Sequence, residues 1–125
     1  MAMLVAYDGR ENTEKALDYA IGNSLAYRDR LIVLAVVPKG SEGDVERVHE
    51  YTARALERAR SRGADVQSIV ESGQPDKVIL ETANRFGCDT IIVGRSSKTT
   101  LDRVIMGSVS NSIVANASCT VIVVQ

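Results

Sequence analysis

The chain of 125 residues is 45% hydrophobic and 25% charged, enough for one compact domain with its own core and too little for two. Fifteen Lys and Arg oppose 16 Asp and Glu, and the signs balance on both sides of Gly63, so no basic surplus supports binding to nucleic acid. Two cysteines without CxxC spacing, Cys88 and Cys119, and one histidine, His49, provide neither a metal site nor a disulfide framework, and both thiols are expected to be free.

The opening MAMLVAYDGR has no basic region ahead of a long apolar stretch, so export is not indicated and a cytoplasmic location is expected. Within it, residues 3–7 (MLVAY) form a short apolar run closed by Asp8-Gly9, which reads as a buried strand and its turn. Ala16, Leu17, Ala20, Ile21, Ser24 and Leu25 recur at helical spacing and predict an amphipathic helix over residues 13–27. Residues 31–37 (LIVLAVV) are solidly apolar up to Pro38, a strand buried on both faces. The glycine-rich stretch Gly40-Ser41-Glu42-Gly43 leads to a second helix bearing Val45, Val48, Thr52, Ala55, Leu56 and Ala59, with Gly63 where a left-handed cap belongs.

Residues 64–71 alternate, with Val66, Ser68 and Val70 on one face, as a strand at a sheet edge does. Pro75 and Asp76 open a third helix that runs to Gly87. Residues 90–93 (TIIV) and 120–124 (TVIVV) are a fourth and a fifth strand, separated by a stretch that ends in a helix of about ten residues from Ser108. Strands and helices therefore alternate throughout, which implies a parallel sheet covered on both faces. Ligands of such sheets collect at strand carboxyl ends where the strand order reverses, and the polar turns Asp8-Gly9 and Gly94-Arg95-Ser96-Ser97 share one crevice if the first and fourth strands are neighbours there. Residues 104–125 hold no charge, yet serines and asparagines interrupt them too often for a membrane span.

Residues 94–114, GRSSKTTLDRVIMGSVSNSIV, carry the densest chemical signal. Gly94 directly follows a strand, and Gly107 precedes Ser108 at a helix start. A helix N-terminus offers unpaired N–H groups and about half a positive charge, and small residues ahead of it let phosphate oxygens approach. Ser108 and Ser110 add hydroxyl donors. A plain strand–turn–helix connection asks for the same glycine and serine, so spacing alone leaves both readings open. Ser97-Lys98-Thr99 does not complete a P-loop, since Ser97 and Ile92 stand where GxxxxGK[ST] requires glycine.

The whole chain resembles the universal stress protein family. The resemblance rests on LVAYDGRENTEKAL, LIVLAVVP, ESGQPDKVILETANRFGCDTIIVGRSS and GSVSNSIVANASCTVIVV, the last two being the most specific. ATP-binding members carry G-x2-G-x9-G-[ST] after the fourth strand; here Gly94, Ser97 and Gly107-Ser108 keep the intervals and match three of the four defined positions. Ser97 replaces a glycine, which costs about 1 kcal/mol if φ is positive there, or else offers a hydroxyl to phosphate. Arg10 stands where many relatives have serine after Asp-Gly.

The resemblance implies an α/β fold in one domain, residues 1–125, with a five-stranded parallel sheet of order 3-2-1-4-5 and helices on both faces, Rossmann-like and similar to the adenine nucleotide alpha hydrolases. It implies ATP or another adenine nucleotide as ligand, with or without Mg²⁺, and no protein-bound metal. By position, Asp8 would meet ribose or adenine, Val36 the adenine, and Gly94, Ser97, Gly107, Ser108 and Val109 the ribose and phosphates. Lys98, with Arg95 and Arg103, would screen phosphate charge. On residue chemistry alone, Asp8 equally suits closing a turn, Val36 suits a core, and long basic side chains suit solvent. The resemblance also implies a homodimer through the C-terminal strand, whose uncharged edge needs covering, and a nucleotide-dependent regulator of the stress response with an unidentified protein partner.

Two other functions remain in view: a dimeric interaction module that binds no nucleotide, and a weak ATPase or autophosphorylating protein with Ser96, Ser97, Ser108 or Ser110 as acceptor. No catalytic residues are assigned, because no Ser/His/Asp arrangement or carboxylate pair occurs and His49 lies among charges on the second helix. A response-regulator receiver is excluded by the single acid at the first strand's end and by Glu71-Ser72-Gly73 after the third. A flavin site lacks aromatics, with no Trp and one Phe.

Overall fold

The solid apolar runs form strands because both of their faces are covered. β-branched and aliphatic side chains on a pleated backbone alternate between two helical layers, so neither parity of the sequence has to be polar. The computed structural model describes residues 1–40, 42–95 and 108–125. Along them run β1 (Ala2–Ala6), α1 (Glu11–Tyr27), β2 (Arg30–Val37), α2 (Val45–Ser61), β3 (Val66–Ser72), α3 (Pro75–Arg85), β4 (Cys88–Gly94), α4 (Ser108–Asn116) and β5 (Thr120–Val124). A short 3-10 turn, Glu42–Asp44, leads into α2.

All pairings are parallel and the order is β3-β2-β1-β4-β5, as the family resemblance implied. The chain winds outward from β1 through β2 to β3, then returns to the other side of β1 with β4. That reversal puts α1 and α2 on one face and α3 and α4 on the other. Met3, Val5, Leu31 and Val33 face Leu17, Ile21 and Ala55 in the first layer, while Leu4, Ile32 and Leu34 meet Ile79, Ala83 and Ile113 in the second. β3 is an edge strand that buries only Val66 fully.

Several boundaries shift by one or two residues from the sequence reading, among them β1 (Ala2–Ala6) and β3 (Val66–Ser72), and two of the shifts have a visible cause. α1 begins at Glu11 rather than residue 13, because the Glu14 N–H reaches the Arg10 carbonyl at 2.9 Å and extended Arg10 serves as N-cap without a side-chain bond. Glu11 and Glu14 then lie in the first turn, where the helix dipole favours negative charge. β4 begins at Cys88 rather than residue 90, through an irregular register in which Ala2 pairs with Cys88 and Met3 with Thr90.

Candidate functional site

The order reverses between β1 and β4, and a crevice opens at their carboxyl ends. It forms a cavity of about 550 Å³. Asp8, Val36, Gly94, Ser108 and Val109 line it together, so four elements far apart in sequence deliver the residues singled out above. Ser97, Lys98 and Gly107, with Ser96 and Arg103, lie outside the described residues. Arg95 does not line the cavity; its guanidinium donates to the Gln125 Oε1 at 3.1 Å, just past β5.

Asp8 closes its turn and also lines the cavity. Its Oδ1 accepts from the Arg10 N–H at 2.9 Å and lies 2.8 Å from the Thr13 hydroxyl, closing the turn into α1. Its Oδ2 stands 3.8 Å from the Arg10 Nε, and the side chain remains 46% exposed at the cavity wall. Gly9 adopts φ +80°, and a Cβ there would stand 3.2 Å from the Tyr51 ring. Glycine therefore both permits the turn and lets Tyr51 of α2 pack over it.

Gly94 has a structural reason to be glycine, apart from any ligand. A Cβ on it would lie 2.6 Å from the Asn12 carbonyl oxygen, so no side chain fits between the end of β4 and the first turn of α1. The Asn12 Nδ2 donates to the Arg95 carbonyl at 2.7 Å, and the Ser110 hydroxyl donates to the Gly94 carbonyl at 3.1 Å. Ser110 also lines the cavity, is 5% exposed, and directs its hydroxyl proton to the Gly94 carbonyl. Ser108 is exposed at the first position of α4 and remains available.

Behind Asp8 the wall is ionic. The Tyr7 hydroxyl donates to Glu14 Oε1, and Arg58 Nη1 donates to Glu14 Oε2 at 2.8 Å. Arg58 Nη2 also stands 3.4 Å from Asp18 Oδ1. The Tyr7 and Tyr51 rings meet edge to face at 5.5 Å, joining this cluster to the cavity, which both line. Burial, helped by the bond to Glu14, pushes the Tyr7 phenol up. Burial also works to raise Glu14, but hydrogen bonds from Tyr7 and Arg58 outweigh it and hold that carboxyl below its ordinary value. Tyr51 is raised by burial and by the Asp8 charge, against the pull of Arg47 and Arg10 at the rim.

Among the described residues the opposite wall lines the cavity with uncharged Pro75, Ile79, Ser108, Val109 and Ser110. Small residues of α4 pack against α3, and the Ser112 hydroxyl donates to Asp76 Oδ2 at 2.7 Å. Asn12, Tyr7, Tyr51 and Arg47 are cavity residues that the sequence reading did not name. Tyr51 carried a signal, three residues after Val48 on the inner stripe of α2. Asn12 carried none, because its partner is 83 residues away. Among the described residues no group of three His, Cys, Asp or Glu side chains is arranged for a metal, and no helix is long and apolar enough to cross a membrane.

An open parallel α/β sheet with a crevice at its switch point thus defines the class. The chain belongs to the universal stress protein family, whose model matches residues 1–125. It is 28% identical to universal stress protein YxiE of Bacillus subtilis (strain 168) over 144 aligned residues, covering 98% of this chain and 97% of that one. A putative universal stress protein of Staphylococcus aureus (strain USA300) is 29% identical over 140 residues, covering 98% and 82%.

Solved structures share the Rossmann-like fold. A universal stress protein from Archaeoglobus fulgidus superposes with TM-score 0.86 at 21% identity, covering all of this chain and 93% of that one. A universal stress protein in complex with cAMP gives 0.84 at 24% identity, covering 100% and 96%. The Archaeoglobus fulgidus protein in complex with dAMP gives 0.83 at 21% identity, covering 100% and 98%.

Proposed function

We propose that this chain binds an adenine nucleotide, ATP in the first instance, between the carboxyl ends of β1 and β4, and acts as a nucleotide-dependent regulator of the stress response, a single cytoplasmic domain. The observation that carries this reading is the convergence of Asp8, Val36, Gly94, Ser108 and Val109 on one cavity at the strand-order reversal. Val36, Val37 and Pro38 offer an apolar floor for a purine, and the Asp8 carboxylate accepts from a ribose hydroxyl or the adenine amine. Ser108 lines the cavity at the first position of α4, where the helix N-terminus favours phosphate. That two structural neighbours hold cAMP and dAMP supports the adenine class.

The test is calorimetric titration with ATP and AMP, each with Mg²⁺, alongside mass spectrometry of any nucleotide that co-purifies. Saturable binding is expected, weakened at least tenfold by Asp8→Ala. No heat and no thermal shift at millimolar nucleotide would favour the interaction-module reading instead.

The same protein is proposed to dimerise through β5. The two sheet edges are unlike: β3 carries Gln67 and Glu71, the latter 3.3 Å from Arg85, whereas β5 (TVIVV) shows half-buried aliphatic residues and no charge. An edge of the second kind invites pairing with another chain. Light scattering should give a dimer mass that Val123→Lys halves.

A further inference from the structure

At the end of the sheet opposite the crevice lies a second cavity of about 320 Å³, between α3, the start of β4 and the turn into β5. Cys88 and Cys119 both line it, and both thiols are free. Their meeting depends on the irregular register of β4. Ile91 and Val93 face α3 and α4, whereas Ile92 faces α1 and α2. Strict alternation would therefore turn Cys88, an even step from Ile92, towards α1. Instead Ala2 pairs with Cys88 and Met3 with Thr90, which leaves Asp89 as one extra residue. That bulge reverses the parity, and Cys88 packs with Ile91 on the α3–α4 side.

Cys119 reaches the same side without a bulge, sharing the parity of Val121 and Val123. Thr90 pairs with Thr120, so the two cysteines precede one paired position on neighbouring strands. With strands about 4.8 Å apart and a stagger of about one residue, the Cα atoms are about 6 Å apart, within the roughly 4.4–6.8 Å that a disulfide spans.

We propose that Cys88 and Cys119 form an oxidisable thiol pair that closes an intramolecular disulfide, with a hydroperoxide as oxidant. Cys119 is the more exposed and reacts first. Its thiolate attacks a peroxide oxygen, the O–O bond breaks, and a sulfenic acid forms as the alcohol, or water from hydrogen peroxide, departs. The Cys88 sulfur then attacks the sulfenic sulfur; the S–O bond breaks, the Cys88 proton joins the departing hydroxyl, and water leaves. Two thiols give up two electrons and the peroxide takes them.

Burial, with the nearby Cys119 and Asp89, pushes the Cys88 thiol up to about 11, and burial with Asp89 raises Cys119. Glu81 is the charged residue that lines the cavity, among the described residues. The pair is therefore a slow responder to sustained oxidant, since only the thiolate attacks. Its disulfide would tie the start of β5 to β4, enclosing α4 and hence one wall of the crevice in a covalent loop.

The test exposes the full chain to hydrogen peroxide, alkylates free thiols under denaturing conditions, and maps the peptides by mass spectrometry. The expected product is monomeric, has lost both thiols and the mass of two hydrogens, yields a linked Cys88–Cys119 peptide, and reverts with dithiothreitol. Its Tm should rise by about 10 °C, as closing a loop of this length predicts. Cys119→Ser, at the more exposed position, should abolish all of these changes even if Cys88→Ala fails to fold. Disulfides only between chains, sulfinic acid on either cysteine without a link, or two thiols still intact would each overturn the proposal.

Discussion

The two walls of the crevice are built from different chemistry. The α1–α2 wall is ionic, with Tyr7, Glu14, Arg58 and Asp18 joined to one another and Asp8 bound into its own turn. Among the described residues the α3–α4 wall lines the cavity without charge, and a bond from Ser112 to Asp76 links its two helices. The first wall is thus held by interactions that need no ligand. The second presents an uncharged helix start where an anionic ligand supplies the missing charge. Ligand binding should therefore register on α4 and at the cavity-lining strand ends, and leave the Glu14–Arg58 cluster in place.

The largest effect should come from breaking the junction between the walls. Gly94→Val places a side chain where the Asn12 carbonyl stands 2.6 Å from a Cβ. A loss of about 3 kcal/mol or more is expected in urea unfolding, because backbone lies on both sides and neither can yield cheaply. An unchanged midpoint would mean that the two ends are not locked together as described.

A smaller effect should follow from the ionic wall. Arg58→Met removes the partner of Glu14 and Asp18 at a position 37% exposed, so solvent screening limits the loss to about 1 kcal/mol. The same cluster gives the wall its pH dependence. Glu14 titrates lower folded than unfolded, so its contribution is fully present above the ordinary glutamate value and is lost as pH falls through the depressed folded value. Glu14→Gln should flatten the acid limb of a stability–pH curve; an unaltered limb would place the acid sensitivity elsewhere.

The smallest effect is expected on the second wall. Ser112→Ala removes a bond to a solvent-exposed carboxylate, and its Tm should stay within the scatter of the wild-type measurement. A large drop would show that the α3–α4 wall is as firmly fixed as the first and would erase the contrast.

Much of the fold was legible because its strands announce themselves. Residues 31–37 can be solidly apolar only if buried twice, and Ile32 and Val33 are indeed 1% and 0% exposed on opposite layers. The start of β4 was hidden because Asp89, the extra residue of the bulge, interrupts the apolar run from which the strand was read. Gly94 and Ser108 could be named because motif spacing survives without three-dimensional information, and Asp8, Val36 and Val109 because the family resemblance carries them over by position. What joins them could not: Asn12 to Arg95 spans 83 residues and Arg58 to Glu14 spans 44, and neither pair has a local signature. Gly94 shows how one residue answers to two demands, since the motif marks it for phosphate while the Asn12 carbonyl alone already excludes a side chain.

Amide shifts in a nitrogen-15 labelled sample titrated with ATP and Mg²⁺ test the central claim most directly. Saturable perturbations are predicted at Asp8, Val36, Gly94, Ser108 and Val109, with Arg58 and its neighbours on α2 little changed. Perturbations centred on β3 or β5 instead, or none at millimolar ATP, would contradict a nucleotide site between β1 and β4.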